Sequence, residues 1–179
     1  MGNTTRKENK KTKLLVLLFL LLTLIAVGVT AWALFFRDAG PVLTPDYAPQ
    51  QEEPNAQDIG DGDAEKLEAP QGGGAVGLTY SAEVTIDLSE EKASLMFQNP
   101  SRSTSDMVVQ VVIQEEIVAQ SGKLVPGKEI TTLDLLPGEA KKLAPGGYDA
   151  KFVVLMYDSD TAEKAMLNSE AAISVTVVE

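Results

Sequence analysis

Residues 78–88 read LTYSAEVTIDL, a stretch in which apolar and polar side chains alternate with a period of two. The apolar side of this alternation consists of Tyr80, Ala82, Val84, Ile86 and Leu88. Because successive side chains of an extended strand point to opposite faces, the pattern predicts a β-strand with one buried face.

The same alternation recurs towards the end of the chain. It is visible in residues 93–97, 107–113, 130–136, 148–156 and 171–177, and residues 117–119 predict a short edge strand. Pro-Gly pairs at Pro126, Pro137 and Pro145 separate several of these segments. They favour type II turns, because proline fixes φ at the second turn position and glycine accepts a positive φ at the third. About seven short strands punctuated by turns predict an all-β fold, an antiparallel β-sandwich over residues 77–179.

The stretch from Leu143 to Tyr148, LAPGGY, resembles the L-x-P-G-x-Y corner of extracellular immunoglobulin-like and fibronectin-type modules. In such modules a tyrosine near the start of the penultimate long strand bonds back to the upstream backbone. The resemblance therefore implies a structural corner formed by Leu143, Pro145, Gly146 and Tyr148. The order of strands and turns over residues 78–179 is also similar, which implies an immunoglobulin-like sandwich. A resemblance of fold says little about function.

An uncharged run, residues 14–36, precedes the β-region. As a helix it is roughly 35 Å long, which exceeds the hydrocarbon core of about 30 Å. Basic residues lie before the run, in residues 1–13, and acidic residues follow from Asp38 onward. The positive-inside rule then predicts a cytoplasmic N-terminus and an extracellular C-terminal domain on a single-pass protein of the plasma membrane. The residues expected at the membrane interface are Lys10, Lys11, Lys13, Trp32, Phe35 and Phe36.

A cleaved signal peptide is the competing interpretation of this run. The triplet Ala31-Trp32-Ala33 resembles a small-x-small cleavage site. However, the run is longer than the apolar core of about 7–15 residues in a signal peptide, and it continues past the triplet. An uncleaved signal-anchor is therefore the favoured interpretation.

Residues 37–76 are rich in proline, glycine and acidic residues and show no apolar period. Such a composition buries too little apolar surface to offset the entropy of ordering the chain. The sequence therefore predicts a disordered stalk that separates the helix from the outer domain.

The chain has no cysteine and no histidine, and its formal net charge is −11. The missing residues argue against Ser-His-Asp or cysteine-based catalysis and against structural zinc sites. The acidic balance argues against nucleic-acid binding, which requires a basic surface. We therefore expect a non-enzymatic protein with no catalytic residues, no metal and no cofactor.

Two predicted strands carry apolar residues on both faces. If Val109 and Phe152 point into the core, the outer face of their strands carries Val108, Val112, Val153, Leu155 and Tyr157. One hypothesis is an exposed partner surface, because apolar patches often mark interaction sites. The alternative is ordinary β-propensity, with lysine stems or a loop covering the patch.

These observations favour a membrane-anchored binding module of the cell envelope. Its expected contacts are membrane lipid, an unknown protein or cell-wall partner, and self-association. The alternative is an accessory subunit of a membrane-embedded secretion or conjugation machine. A bacterial source fits, because the outer region has no usable N-x-S/T sequon.

Overall fold

A computed structural model describes residues 5–35, 44–60, 65–68, 75–166 and 168–179. Within the helix, the environments of side chains are described for residues 12–30. The chain divides into two compact units, Met1–Pro41 and Val42–Glu179. The first unit contains a helix, and the second contains the β-strands.

The helix α1 extends over Thr5–Phe35. Its stretch Thr12–Thr30 has 19 residues, a mean hydropathy of 2.6 and no buried part. Thr23 and Thr30 each donate their hydroxyl to the backbone carbonyl four residues earlier, at 2.7 and 2.8 Å. These bonds satisfy the polar groups inside an otherwise apolar surface. The helix is long and apolar enough to cross a membrane, and a signal sequence near the N-terminus passes the same test.

The described part of the second unit contains nine strands. They are β1 (Ala56–Asp58), β2 (Thr79–Tyr80), β3 (Glu83–Asp87), β4 (Lys92–Asn99), β5 (Ser105–Ile113), β6 (Glu116–Gln120), β7 (Lys128–Asp134), β8 (Gly146–Asp158) and β9 (Ser169–Val178). A short 3-10 helix, Glu139–Lys141, precedes β8.

The strands form one curled sheet in the order β1-β7-β4-β3-β9-β8-β5-β6, and β2 also pairs with β4. The β3–β9 pair is parallel, and the other ladders are antiparallel. The Leu136 amide donates to the Val118 carbonyl at 2.8 Å, which brings the end of β7 to β6. The β4–β7, β5–β8 and β8–β9 pairs correspond to the B–E, C–F and F–G pairs of an immunoglobulin-like sandwich. The prediction of an all-β, immunoglobulin-like fold preceded by an apolar helix is confirmed.

The core lies inside the curled sheet and uses the alternating residues that the sequence indicates. Its centre contains Phe97 and Phe152, whose rings meet edge to face with centroids 5.7 Å apart. Contacts of this kind add to the apolar burial that stabilises the domain. The strand expected over residues 78–88 is interrupted at Ser81, whose hydroxyl accepts a hydrogen bond from the Glu83 amide at 3.2 Å. As a result Tyr80 is exposed rather than buried, although its ring still contacts Phe152.

The turn that follows β8 is held by Asp158. Its Oδ1 accepts hydrogen bonds from the amides of Thr161 at 2.7 Å and Asp160 at 3.0 Å. These bonds, that of Thr161 first, lower the pKa of Asp158 below its ordinary value. The carboxylate therefore caps the turn into the β8–β9 loop.

The structure differs from the expected stalk in residues 44–60, here called the covering segment, which lie against the β-domain. Strand β1 pairs with β7, and Asp58 forms a 2.8 Å ion pair with Lys128. Further along, the Leu67 amide donates to the Arg102 carbonyl at 2.8 Å. The compact unit accordingly begins at Val42, before the predicted limit at residue 77. The composition rule considers only apolar burial, whereas these residues are ordered by hydrogen bonds to distant strands and loops.

Glu53 fixes the middle of the covering segment and is only 7% exposed. Its Oε2 accepts a hydrogen bond from the Gly122 amide at 2.6 Å, and its Oε1 accepts two from Asn55 at 3.0 Å. The Glu53 amide in turn donates to the Lys123 carbonyl at 2.9 Å. A Cβ at Gly122 would lie 3.0 Å from the Glu53 backbone, so a larger residue there would push the covering segment away by a few tenths of an ångström.

We expect Glu53→Ala to loosen the covering segment. The change leaves the Gly122 amide and both Asn55 donors without their acceptor, which costs about 1–3 kcal/mol. Hydrogen–deuterium exchange of residues 44–58 should become faster, while exchange in β4 and β8 should not change. Glu52→Ala is the matched control, because Glu52 is exposed. Equal exchange of this segment in the two variants would contradict the role of the Glu53 carboxylate.

Candidate interaction surface

The residues of the predicted outer patch are neighbours in the β5–β8 ladder. Val108 pairs with Leu155, and residues two positions apart on each strand share that face. Val108, Leu155 and Tyr157 form an apolar cluster that is separate from the main core. Val153 is half-buried and packs against the cluster, and Val112 lies further along β5, opposite Lys151. The sequence therefore predicted correctly which side chains share the outer face of these strands.

This face is covered, which corrects the expectation of an exposed patch. Val108, Leu155 and Tyr157 are each 0% exposed, and Val112 is 5% exposed. Ala48 of the covering segment packs against the cluster. The alternative of a covering loop, weighed from the sequence, is thus what the structure contains. The physical reason is that a strand with apolar side chains on both faces destabilises the fold if one of these faces stays in water.

The covering segment is attached to this face near Tyr157. The Tyr157 hydroxyl donates to the Pro45 carbonyl at 3.2 Å. The Ala48 amide donates to the Ala162 carbonyl at 2.8 Å, and the Lys164 amide donates to the Asp46 carbonyl at 2.9 Å. These two backbone bonds are those of a short antiparallel pairing between residues 47 and 163. The covering segment is therefore attached here mainly through main-chain groups.

Polar groups beneath the segment have partners. Asp106 is 6% exposed, its Oδ1 accepts a hydrogen bond from the Ser159 hydroxyl at 3.0 Å, and its Oδ2 lies 3.9 Å from the Lys123 Nζ. The Gln110 side chain, 2% exposed, donates to the Gln120 Oε1 at 2.8 Å. The carboxylates of Glu53, Asp106 and Asp158 therefore act as caps and ion-pair partners. Sequence reasoning missed Glu53, because no local pattern indicates a partner 69 residues away.

The residues of the predicted corner lie together before and at the start of β8. The Tyr148 hydroxyl donates to the Ala144 carbonyl at 2.8 Å and accepts from the Ala144 amide at 3.3 Å. Leu143 packs against the main core, and Gly146 has φ 150°, which favours glycine. Pro145 is exposed. This backbone contact of Tyr148 is the one that the resemblance implies.

The expected interface residues of the helix lie near its two ends. Lys10, Lys11, Trp32 and Phe35 fall within the bounds of α1, and Lys13 is exposed. Phe36 lies outside the described residues. Contact of these residues with lipid remains a prediction.

An open hollow of about 490 Å³ lies beside the β8–β9 loop. Its lining includes Asp46 and Tyr47 of the covering segment and Glu163 and Met166 of the loop. Among the residues that the structure describes, no group of three or more Asp or Glu side chains is placed to hold a metal ion. The side chains that line the hollow could pack against a bound molecule or form hydrogen bonds with it.

No protein family matches the sequence, and no curated protein matches it either. Several solved structures show weak similarity, among them the following three. AggA, the major subunit of aggregative adherence fimbriae type I from Escherichia coli, has a TM-score of 0.32 at 11% identity, over 63% of this chain and all of that one. The periplasmic chaperone SfaE has a TM-score of 0.31 at 13% identity, over 56% of each chain. The CooA pilin subunit from enterotoxigenic Escherichia coli has a TM-score of 0.24 at 13% identity, over 58% of this chain and 99% of that one. Values this low assign neither a family nor a function.

Ionisation of Tyr157 is expected to destabilise the domain at high pH. Burial, and to a smaller extent the charge of Asp46, raises the pKa of Tyr157 above its ordinary value of 10.0. In the unfolded chain the hydroxyl ionises at lower pH than in the folded one. The contribution of the neutral Tyr157 hydroxyl to the free energy of unfolding is therefore complete below pH 10.0. It is lost as the pH rises through the pKa of Tyr157 in the folded chain.

Urea unfolding of the wild type and of Tyr157→Phe between pH about 8 and about 11 measures this effect. The free energy of unfolding should fall more steeply with pH in the wild type. The other tyrosines and the lysines are common to both proteins and cancel in the comparison. Parallel curves would show that Tyr157 ionises equally well in the folded chain.

Proposed function

We propose that this chain is a single-pass, non-enzymatic interaction module of the cell envelope. The N-terminal helix anchors it in the plasma membrane with a cytoplasmic basic tail, and the β-domain lies outside. The observation that carries the proposal is the 19-residue stretch Thr12–Thr30, apolar and exposed over its whole surface. Exposed apolar surface of this extent is unfavourable in water and favourable in lipid.

The direction across the membrane is supported by charge. Basic residues such as Lys10, Lys11 and Lys13 precede the uncharged run of residues 14–36, and the chain after that run carries a net negative charge. Translocation leaves the basic flank on the cytoplasmic side. We infer that Trp32, Phe35 and Phe36 lie at the outer interface, where aromatic rings are favoured.

The absence of an enzymatic role is supported by residue types and by the use of the carboxylates. The sequence has no histidine or cysteine to act as an imidazole base or a thiolate. Glu53 and Asp158 accept backbone hydrogen bonds that hold loops. These two carboxylates therefore have structural roles in the protein. Its partners are proposed to be membrane lipid through the helix, and a protein or wall polymer, or a second copy, through the domain.

Membrane topology can be tested by cysteine labelling, because the chain has no native cysteine. Glu90→Cys lies at an exposed turn of the β-domain, and Asn3→Cys lies in the tail. In intact cells we expect an impermeant maleimide to label Glu90→Cys only, and to label Asn3→Cys after lysis. Labelling of both or of neither in intact cells would contradict the proposed orientation.

The mass of the labelled protein tests the anchor itself. Retention of residues 1–35 in the membrane fraction after alkaline carbonate extraction is the expected result. A protein that begins near residue 34 and is released by carbonate would instead establish a cleaved signal peptide.

The alternative of an accessory subunit predicts a fixed set of partners. Crosslinking in intact cells, followed by mass spectrometry of the captured proteins, distinguishes the two functions. For a free-standing module we expect wall material, scattered surface proteins or the chain itself. One membrane complex recovered at constant stoichiometry would favour the secretion or conjugation machine.

A further inference from the structure

The outer face of β5 and β8 is built to hold an extended segment of chain. Its recognition elements are the apolar cluster of Val108, Leu155 and Tyr157 and the Tyr157 hydroxyl, and the Gly122 amide, in the connection after β6, adds a third. The cluster packs against the small side chain of Ala48, the Tyr157 hydroxyl donates to the Pro45 carbonyl, and the Gly122 amide donates to the Glu53 carboxylate. In the described structure all three are occupied by residues 45–53 of the same chain.

We propose that this face also receives the covering segment of a second copy, so that two chains exchange residues 44–60. The inference deepens the proposed function and rests on it for the presence of two copies in one membrane. It names the partner of the interaction module as the chain itself, and the contact surface as the face beneath the covering segment.

The contacts that join the segment to the domain are all available between two chains. The bonds join positions far apart in the sequence, 69 residues for Glu53 to Gly122 and 112 for Pro45 to Tyr157. The bond from the Ala48 amide to Ala162 likewise needs no nearby covalent link. A second copy has the same sequence and therefore offers the same set of donors and acceptors.

The core of the domain is largely independent of the segment. The cluster beneath the segment is separate from the main core, in which Phe97 and Phe152 lie. Of the covering segment, Ala56 is the residue that packs against the main core. Departure of the segment exposes the outer face while the main core keeps its packing, so exchange does not require global unfolding.

The connection between the segment and the domain is short. Lys66 donates from its Nζ to the Ser101 and Ser103 carbonyls, at 2.6 and 2.9 Å, so the chain is fixed again shortly after β1. Seven residues, 59–65, separate Asp58 from Lys66 and can span at most about 25 Å. They include Gly60, which has φ 74°, and Gly62. A short connection containing glycines restricts exchange to copies that lie side by side.

The local concentration of the second copy decides whether the segment binds its own domain or that of a neighbouring chain. A segment tethered to its own domain has an effective concentration in the millimolar range, which favours the closed form in dilute solution. Anchoring in one membrane raises the local concentration of the second copy. Exchange is therefore expected between neighbouring chains in a bilayer or micelle, and more readily when the segment is loosened.

Disulfide trapping in the full-length chain in detergent tests the exchange. Tyr47 and Glu163 form an antiparallel bridge, and both are exposed. Opposite residues in such a pair have Cα atoms about 4.5–5.5 Å apart, within disulfide range. The double variant Tyr47→Cys with Glu163→Cys should crosslink within one chain, which verifies the geometry.

The decisive sample is a mixture of the two single variants. We expect a disulfide between position 47 of one chain and position 163 of another, identified by peptide mass. Its yield should be at least about tenfold above a mixture of Tyr47→Cys with Glu90→Cys, and should rise when Glu53→Ala is added to both chains. A yield equal to that control, even with Glu53→Ala, would overturn the proposal. The result does not depend on membrane orientation, so its failure is distinct from failure of the proposed topology.

Discussion

The pairing of β5 with β8 determines much of the surrounding structure. Every residue of β5, from Ser105 to Ile113, is buried. β5 lies between β8 and β6, and with both faces buried it needs a layer on each side, because apolar surface left in water makes the fold less stable. The main core supplies one layer. The covering segment supplies part of the other, and Glu53, Gly122 and Tyr157 hold it in place.

An acidic segment is ordered here mainly by hydrogen bonds. Ala48 contributes apolar burial on the outer face, while backbone amides and carbonyls and the Glu53 carboxylate contribute the rest. Hydrogen bonds of this kind contribute about 0.5–1.5 kcal/mol each, so the segment is held by many small terms. Such an attachment is compatible with an interaction surface, because local opening costs less free energy than unfolding the core.

Features that depend on neighbouring residues could be predicted from the sequence, whereas features that depend on residues far apart in the sequence could not. The alternation in residues 107–113 and 148–156 identified the strands and which side chains share a face, because a period of two is a property of the backbone itself. Within residues 78–88 the same rule failed at Tyr80 and Ala82, where a local Ser81 contact interrupts the strand. Glu53 was not identified as a site residue, since its partner on the chain is remote and carries no sequence signal.

By itself, the sequence determined the apolar helix, the all-β class, the turns at Pro126 and Pro137, and the absence of histidine and cysteine side chains. These properties depend on composition and on local periodicity, which can be read along the chain. The tertiary structure decided that residues 44–60 pack on the domain and that Val108, Leu155 and Tyr157 are buried. The burial of a face depends on what lies over it, and the Pro45–Tyr157 and Glu53–Gly122 contacts form only when distant parts of the chain are brought together.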